Sequence, residues 1–218
     1  MSGKLYAVGV GPGDPELITL KALKIIKSAD CIACPESHGE PGLAYSIAKE
    51  AVPEIVSKEV FLLDFPMRKE DVSDAHKKAA DQVMAALSAE KNVAFLTLGD
   101  PGVYSTFYYI ADAVMAQGFE VEVVGGITSF SAAAARLKLP LALGGEAVMI
   151  TAGKFCEFDG PLVILKAGSR LKEIKAQVAA AGKSIYLVEN CGMTDEKVVD
   201  SLDSMPDEAG YFSLVIVK

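Results

Sequence analysis

Apolar and polar residues alternate along this chain in a pattern that predicts strands and helices in turn. Short runs that are almost entirely apolar, such as residues 92–98, are typical of strands covered on both faces. Segments with apolar residues three or four positions apart, such as the one after Thr19, are typical of helices with one buried face. The predicted strands cover residues 4–10, 31–34 (ended by Pro35), 92–98, 119–124, 146–151, 161–166, 184–190 and 211–217. The predicted helices are the one capped by Thr19 and those over residues 43–51, 71–89, 104–117, 128–137, 169–181 and 195–203.

This alternation predicts an α/β fold, in which a mainly parallel sheet is covered by helices on both sides. We expect two α/β domains, residues 1–124 and 125–218, with a boundary near the glycine pair Gly125-Gly126. The first domain is expected to hold a mainly parallel sheet and the second a mixed one.

Composition narrows the class of protein. The 218 residues are 51% apolar and 23% charged, so the chain can bury a core. A formal net charge of −8 argues against nucleic-acid binding, which needs a basic surface. No apolar run approaches the roughly 18 residues of a membrane span, and glycines within residues 9–13 break the first apolar stretch too early for a signal peptide. Four scattered cysteines, interpreted as free thiols, favour the cytoplasm.

Four loops with unusual residues follow predicted strands, and ligands of doubly wound sheets bind beyond the carboxyl ends of strands. The first loop, within "GVGPGDPEL" (residues 9–17), is rich in glycine but fails the dinucleotide fingerprint. Asp14 stands at the third glycine position, and Pro12 has no N–H to offer a phosphate. Pro12 then forms a rigid surface beside a bulky ligand that has no phosphate. The alternative is that the loop is only a tight strand-to-helix connection without a ligand.

The second loop, "TLGDPGVYST" (97–106), contains the turn Asp100-Pro101-Gly102 before a predicted helix. Asp100 can accept hydrogen bonds from an amine, and unpaired N–H groups at the start of a helix suit a carboxylate. A ligand with both groups, such as an amino acid, fits this loop. A plain turn is the alternative.

The third and fourth loops add hydroxyl and backbone groups. In "GGITSF" (125–130), Thr128 and Ser129 either cap the next helix or direct a hydroxyl towards a ligand. In "VENCGM" (188–193), the pair Cys191-Gly192 exposes backbone N–H and C=O groups that can read the edge of a purine.

The order and spacing of these loops resemble the signature blocks of the tetrapyrrole (precorrin and cobalt-precorrin) methyltransferases. The resemblance extends from about residue 4 to the C-terminal "YFSLVIVK". Within the family, "LGDPGVYSTFYYI" followed by "ITSFSAAAARLKLPLA" is most similar to the branch that methylates C20 of precorrin-2 or cobalt-factor II. The resemblance implies a cytoplasmic homodimer of cobalamin biosynthesis. It also implies that S-adenosylmethionine lies in a cleft between the domains and that a tetrapyrrole enters a trough chiefly in the first.

The resemblance also implies which residues contact the cofactor. Pro12 belongs to the opening loop, and Leu165-Lys166 stand where the family has Met-Lys at a strand end. One departure is that the third block usually begins Pro-Gly, where this chain has Gly125-Gly126. The residues carried over as cofactor-binding are Pro12, Gly99, Asp100, Pro101, Val103, Ser105, Thr106, Thr128, Ser129, Leu165, Lys166, Cys191, Gly192 and Met193.

No metal site is expected, and the sequence identifies no residue as the catalytic base. Cys31 and Cys34 lie near His38, but a strand directs residues 31 and 34 to opposite faces. His38 and His76 lie in polar stretches without a catalytic signature. Because the substrate carries many carboxylates, we expect basic groups near the trough; the arginines are Arg68, Arg136 and Arg170.

Two alternatives remain open at this point. The first is another member of the same superfamily that acts at a different precorrin position, on ribosomal RNA, or on a modified histidine of an elongation factor, as diphthine synthase does. The second is a non-catalytic protein that binds S-adenosylmethionine. The acidic charge argues against RNA, and turnover distinguishes an enzyme from a binding protein.

Overall fold

A computed structural model describes residues 2–66 and 72–218 of the chain. The chain divides into two compact units, the first ending at Thr128 and the second covering Ser129–Lys218. Each is an α/β structure, which confirms the predicted fold class. None of the described helices is long and apolar enough to cross a membrane.

The first unit is built on a six-stranded sheet. Its strands are β1 (Lys4–Gly9), β2 (Cys31–Ser37), β3 (Glu40–Pro41), β4 (Glu59–Leu63), β5 (Val93–Thr97) and β6 (Glu120–Val124). Its helices are α1 (Leu20–Ser28), α2 (Leu43–Ala51), α3 (Val72–Ser88) and α4 (Tyr108–Ala116). The strands β4, β2, β5, β1 and β6 pair with one another in parallel, and the short β3 pairs antiparallel with the end of β2.

The central strands of this sheet are covered on both faces. In β5, Val93 and Phe95 pack on one face against α3 and α4, whereas Ala94 and Leu96 pack on the other face against α1 and α2. Every residue of β5 is buried, which explains why its sequence is almost entirely apolar. The sheet therefore lies between two helical layers. A ligand site can be built by the loops at the ends of its strands, which these layers leave uncovered.

The two cysteines of β2 also separate to opposite faces, as the strand period predicts. Cys31 belongs to the core beneath α3 and α4, and Cys34 to the core beneath α1 and α2. Burial, together with the nearby Glu59 carboxylate, raises the pKa of the Cys31 thiol to about 11. At neutral pH this thiol stays protonated and is a poor nucleophile.

The second unit holds a five-stranded mixed sheet. Its elements are α5 (Ser129–Leu137), β7 (Met149–Ala152), β8 (Leu162–Leu165), α6 (Leu171–Ala180), β9 (Ile185–Glu189), β10 (Lys197–Val199) and β11 (Ser213–Val217). The strand order is β10-β9-β11-β8-β7, with β7 and β8 parallel and the other pairs antiparallel. The buried face packs on α6.

Three predictions about secondary structure are wrong. The segment 195–203 is not a helix, because β-branched Val198 and Val199 pair with β9 as strand β10. Helix α4 begins at Tyr108 rather than at residue 104, because Tyr104 has a left-handed backbone (φ 51°) that a right-handed helix does not accept. Pro35 does not end β2: it pairs with Leu63 of β4, and the strand continues to Ser37 beside β3. Strands β3 and β4 were not predicted.

Candidate functional site

In the first unit, three of the predicted loops meet at the carboxyl ends of the parallel strands. The chain after β1 and the chain after β5 are joined by backbone hydrogen bonds between Gly11 and Gly99. The Gly99 N–H donates to Gly11 O at 2.8 Å, and the Gly11 N–H donates to Gly99 O at 3.3 Å. Both glycines have a left-handed backbone, with φ of 78° and 72°. The opening loop and the Asp100 loop are therefore one connected structure, as their position at the same sheet edge predicts.

The third loop, after β6, packs against the other two with no room for a side chain. A Cβ atom at Gly126 would lie 2.1 Å from Gly99 O and 2.9 Å from Gly9 Cα. A Cβ atom at Gly9 would lie 2.7 Å from Gly126 Cα. Glycine is required at these two positions because backbone meets backbone, so Gly9 and Gly126 serve loop packing.

Asp100 fastens the second loop to the third. One carboxylate oxygen accepts a hydrogen bond from the Gly102 N–H at 2.7 Å, and the other accepts from the Gly126 N–H at 2.9 Å. The first bond closes the predicted turn, and the second reaches 26 residues along the chain. A carboxylate has about four acceptor sites, so Asp100 can still receive a ligand amine while it holds both loops.

The remaining predicted residues of this unit follow Asp100 or lie beside its loop. The Val103 N–H donates to Asp100 O at 3.1 Å, and the Ser105 hydroxyl accepts from the Phe107 N–H at 3.0 Å. Pro101 is buried within the turn. Ser105 therefore stabilises the turn before α4, and the Thr106 carbonyl accepts from the Tyr109 N–H at 3.1 Å in the first turn of that helix. Pro12 is buried next to the Gly11–Gly99 pair, and Thr128 ends the unit.

The charge of these loops suits a cation rather than a phosphate. Residues 10–18 contain Asp14 and Glu16, residues 98–107 contain Asp100, and neither stretch contains a lysine or arginine. Phosphate sites in comparable folds combine glycine-rich turns with N–H donors or a lysine. Here Pro12 lacks the N–H donor, and carboxylates stand where a phosphate site would have a lysine. The loop set therefore fits a positively charged ligand.

In the second unit, the predicted residues lie on the loops after β8 and β9 and at the start of α5. Leu165 ends β8, and Lys166 follows with a left-handed backbone (φ 53°). The Lys166 ammonium lies 5.5 Å from the centre of the Tyr211 ring, in a cation–π contact. Ser129 is the first residue of α5.

The loop after β9 is held by its own side chains. The Gly192 N–H donates to a Glu196 carboxylate oxygen at 2.6 Å, and the Met193 N–H donates to Asn190 O at 2.9 Å. Cys191 is buried. Of the N–H groups predicted to read a purine, that of Gly192 is occupied, and the neighbouring Met193 N–H also bonds within the loop. Carbonyl oxygens have two lone pairs each and can still accept from a ligand.

Several residues that sequence reasoning missed lie at these loops. Glu189, buried at the end of β9, accepts from the Gly210 N–H at 2.7 Å and from the Lys197 ammonium at 3.3 Å. Thr97 and Ser213, one in each unit, have buried hydroxyls without a hydrogen-bond partner among the described residues. Each sits where a strand meets its loop. The signal that could have identified Thr97 is a hydroxyl inside an otherwise apolar strand.

The other polar residues considered from sequence lie elsewhere. His38 lies in the turn between β2 and β3, and the His76 ring stacks on the Tyr109 ring with centroids 4.4 Å apart. Arg170 forms an ion pair with Glu173 at 2.8 Å. Arg68 lies outside the described residues. Within residues 2–66 and 72–218, no cluster of three or more metal-binding side chains occurs.

Comparison with known families gives one match that covers most of the chain. Residues 4–206 match the model of the tetrapyrrole (corrin/porphyrin) methylases. The chain belongs to this family. The family predicted from the loop blocks is therefore confirmed.

Individual members of the tetrapyrrole methylases resemble the chain over nearly its whole length. A probable cobalt-precorrin-2 C(20)-methyltransferase from Methanocaldococcus jannaschii is 38% identical, over 99% of this chain and 96% of that protein. A cobalt-precorrin-2 C(20)-methyltransferase from Salmonella typhimurium is 34% identical, over 100% of this chain and 97% of that protein.

A solved structure shares the fold of this tetrapyrrole methylase. A cobalt precorrin-4 methyltransferase superposes with a TM-score of 0.78 at 22% identity, over 98% of this chain and 94% of that one.

Proposed function

We propose that the protein is an S-adenosylmethionine-dependent methyltransferase that acts at C20 of precorrin-2 or cobalt-factor II in cobalamin biosynthesis. The observation that carries the proposal is its full-length similarity, at 34–38% identity, to proteins named for that reaction. The loop geometry supports it, because the predicted residues of the first unit form one connected loop set at a sheet edge.

The chemistry of the loops fits S-adenosylmethionine. This ligand carries a sulfonium and an amine, one carboxylate and no phosphate, and residues 10–18 and 98–107 offer carboxylates without basic residues. Asp100 is proposed to accept from the amine while its bonds to Gly102 and Gly126 keep it in place. Adenine is proposed to lie against residues 191–193, and Leu165-Lys166 and Thr128-Ser129 to complete the contacts.

The role of this chain in methyl transfer is positioning. When bound, S-adenosylmethionine supplies a methyl group on a positively charged sulfonium, which makes that carbon reactive without further activation. The loops therefore need mainly to align the methyl group with a nucleophilic ring carbon, and such alignment can lower a barrier by about 7–11 kcal/mol. No side chain is assigned as a base.

We further propose residues 1–124 as the tetrapyrrole-binding domain and residues 125–218 as the domain that completes the cofactor site, in a cytoplasmic enzyme. The chain is also proposed to form a homodimer. Helix α4 supports the dimer because its apolar side chains Tyr109 and Met115 are 60% and 48% exposed. Light scattering on the purified protein should give twice the chain mass, whereas a monomer would contradict this.

The experiment that tests the proposed function is turnover with a defined substrate. The purified protein is incubated with S-adenosylmethionine and precorrin-2, with and without cobalt, and the products are analysed by mass spectrometry. We expect one methyl group to be added. Binding of S-adenosylhomocysteine without any turnover would favour a non-catalytic binding protein, and turnover with elongation factor instead would favour a diphthine synthase.

A further inference from the structure

We propose that Glu196 and Arg136 are positioning residues that hold residues 190–193 in the shape that receives the adenine ring. The inference rests on the proposed function. Neither residue is among those carried over as cofactor contacts, and both are identified from bonds within the second unit.

The Glu196 carboxylate joins the loop to helix α5. Its Oε2 atom accepts from the Gly192 N–H at 2.6 Å and lies 3.3 Å from Nε of Arg136. The Glu196 side chain is 20% exposed, whereas that of Arg136 is 49% exposed. One carboxylate oxygen thus serves a backbone donor and a guanidinium together, and charged hydrogen bonds of this kind are stronger than neutral ones.

The loop needs such support because its backbone is unusual. Asn190 has a φ of 53° and Gly192 a φ of 79°, both left-handed. The Asn190 side-chain amide donates to Asp195 at 2.6 Å, and the Asn190 N–H donates to Phe212 O at 2.9 Å. A left-handed conformation at a residue other than glycine persists only where the surroundings determine it. Glu196 supplies the bond at the centre of this loop.

The bond to Glu196 determines which backbone groups of residues 190–193 can contact a ligand. Because Glu196 takes the Gly192 N–H, the loop is left to read a ligand through carbonyl oxygens, which accept hydrogen bonds. The exocyclic amine of adenine is a donor and matches them, whereas the exocyclic carbonyl oxygen of hypoxanthine at the same position is an acceptor and does not. Arg136 fixes this arrangement from α5, whose first residue is the predicted contact Ser129.

The test measures adenine discrimination. Calorimetry gives the dissociation constants of S-adenosylhomocysteine and of its deaminated analogue, S-inosylhomocysteine, for wild-type protein, Glu196→Ala, Glu196→Gln and Arg136→Met. We expect Glu196→Ala to bind S-adenosylhomocysteine about tenfold or more weakly and to lose most of its discrimination, as the loss of one charged hydrogen bond implies. Glu196→Gln, whose amide oxygen can still accept from the Gly192 N–H, should retain part of the affinity and part of the discrimination. Arg136→Met should bind S-adenosylhomocysteine a few-fold more weakly than the wild type.

A matched control is Glu173→Ala. It removes a carboxylate from a second arginine–glutamate pair, with Arg170, whose hydrogen bonds lie within the pair and do not involve residues 190–193. This variant should bind both ligands as the wild type does. Unfolding temperatures are measured for all variants, so that a general loss of stability is distinguished from a change at the loop.

The outcomes separate the two proposals. Unchanged discrimination in Glu196→Ala and Arg136→Met, with or without a lower unfolding temperature, overturns the positioning role. If Glu196→Ala does not fold, Glu196→Gln and Arg136→Met decide by the same criterion. A folded wild-type protein that binds no S-adenosylhomocysteine overturns the proposed function, and with it this inference.

Discussion

Replacing Gly126 with alanine is expected to destabilise the first unit severely. The new Cβ atom would lie 2.1 Å from Gly99 O and 2.9 Å from Gly9 Cα, and both are backbone atoms that cannot rotate away. Relief requires the loops after β1, β5 and β6 to separate, which also strains the bond from Gly126 to Asp100. We expect a loss of about 3 kcal/mol or more in the free energy of unfolding, at the upper end of overpacking effects.

Urea denaturation followed by circular dichroism measures this loss. Gly145→Ala is the control, because a Cβ atom at Gly145 would have no atom within 4 Å and the backbone there is not left-handed. The control should lie within about 0.5 kcal/mol of wild type, as surface substitutions usually do. If Gly126→Ala were as stable as Gly145→Ala, the loops would not pack as described.

Replacing Asp100 with alanine is expected to weaken the binding of S-adenosylhomocysteine by roughly 10- to 100-fold. The variant loses the acceptor proposed for the ligand amine, and hydrogen bonds to charged groups contribute about 1.5–3 kcal/mol. It also leaves the Gly102 and Gly126 N–H groups without their present acceptor, so some loss of stability accompanies the change.

Asp100→Asn separates the two roles of this residue. Its amide oxygen can keep one of the two backbone bonds, but it has no charge to offer an amine. Calorimetry should therefore show weak binding in both variants, while the asparagine variant unfolds closer to the wild-type temperature. Wild-type affinity in Asp100→Asn would mean that Asp100 only forms the turn.

The parts of the fold that could be predicted are those in which local pattern and burial coincide. Strand β5 is covered on both faces, so its apolar run identified it, and the Asp100-Pro101-Gly102 turn is specified by its own residues. Strand β10 could not be predicted, because two valines in a polar segment form a strand only when β9 is beside them.

The positions of the site's loops could be predicted from the sequence, but the hydrogen bonds that hold these loops could not. Proline and glycine marked where the chain turns, and their spacing supported the family. The bond from Asp100 to Gly126 reaches 26 residues along the chain, and no local pattern encodes that partner. The bond from Glu196 to Gly192 is local, but nothing in the sequence of this loop indicated it. The Gly192 and Met193 N–H groups of the fourth loop bond within the loop region, which the sequence did not indicate.

The position of the transferred methyl group tests the central proposal most directly. The protein is incubated with precorrin-2 and S-adenosylmethionine carrying a carbon-13 methyl group, and the product is examined by carbon-13 NMR. Because a misplacement of about 1 Å can cost roughly 100-fold in rate, we predict a single label at the meso carbon C20. A label on a pyrrole carbon, such as C11 or C17, would contradict the assignment.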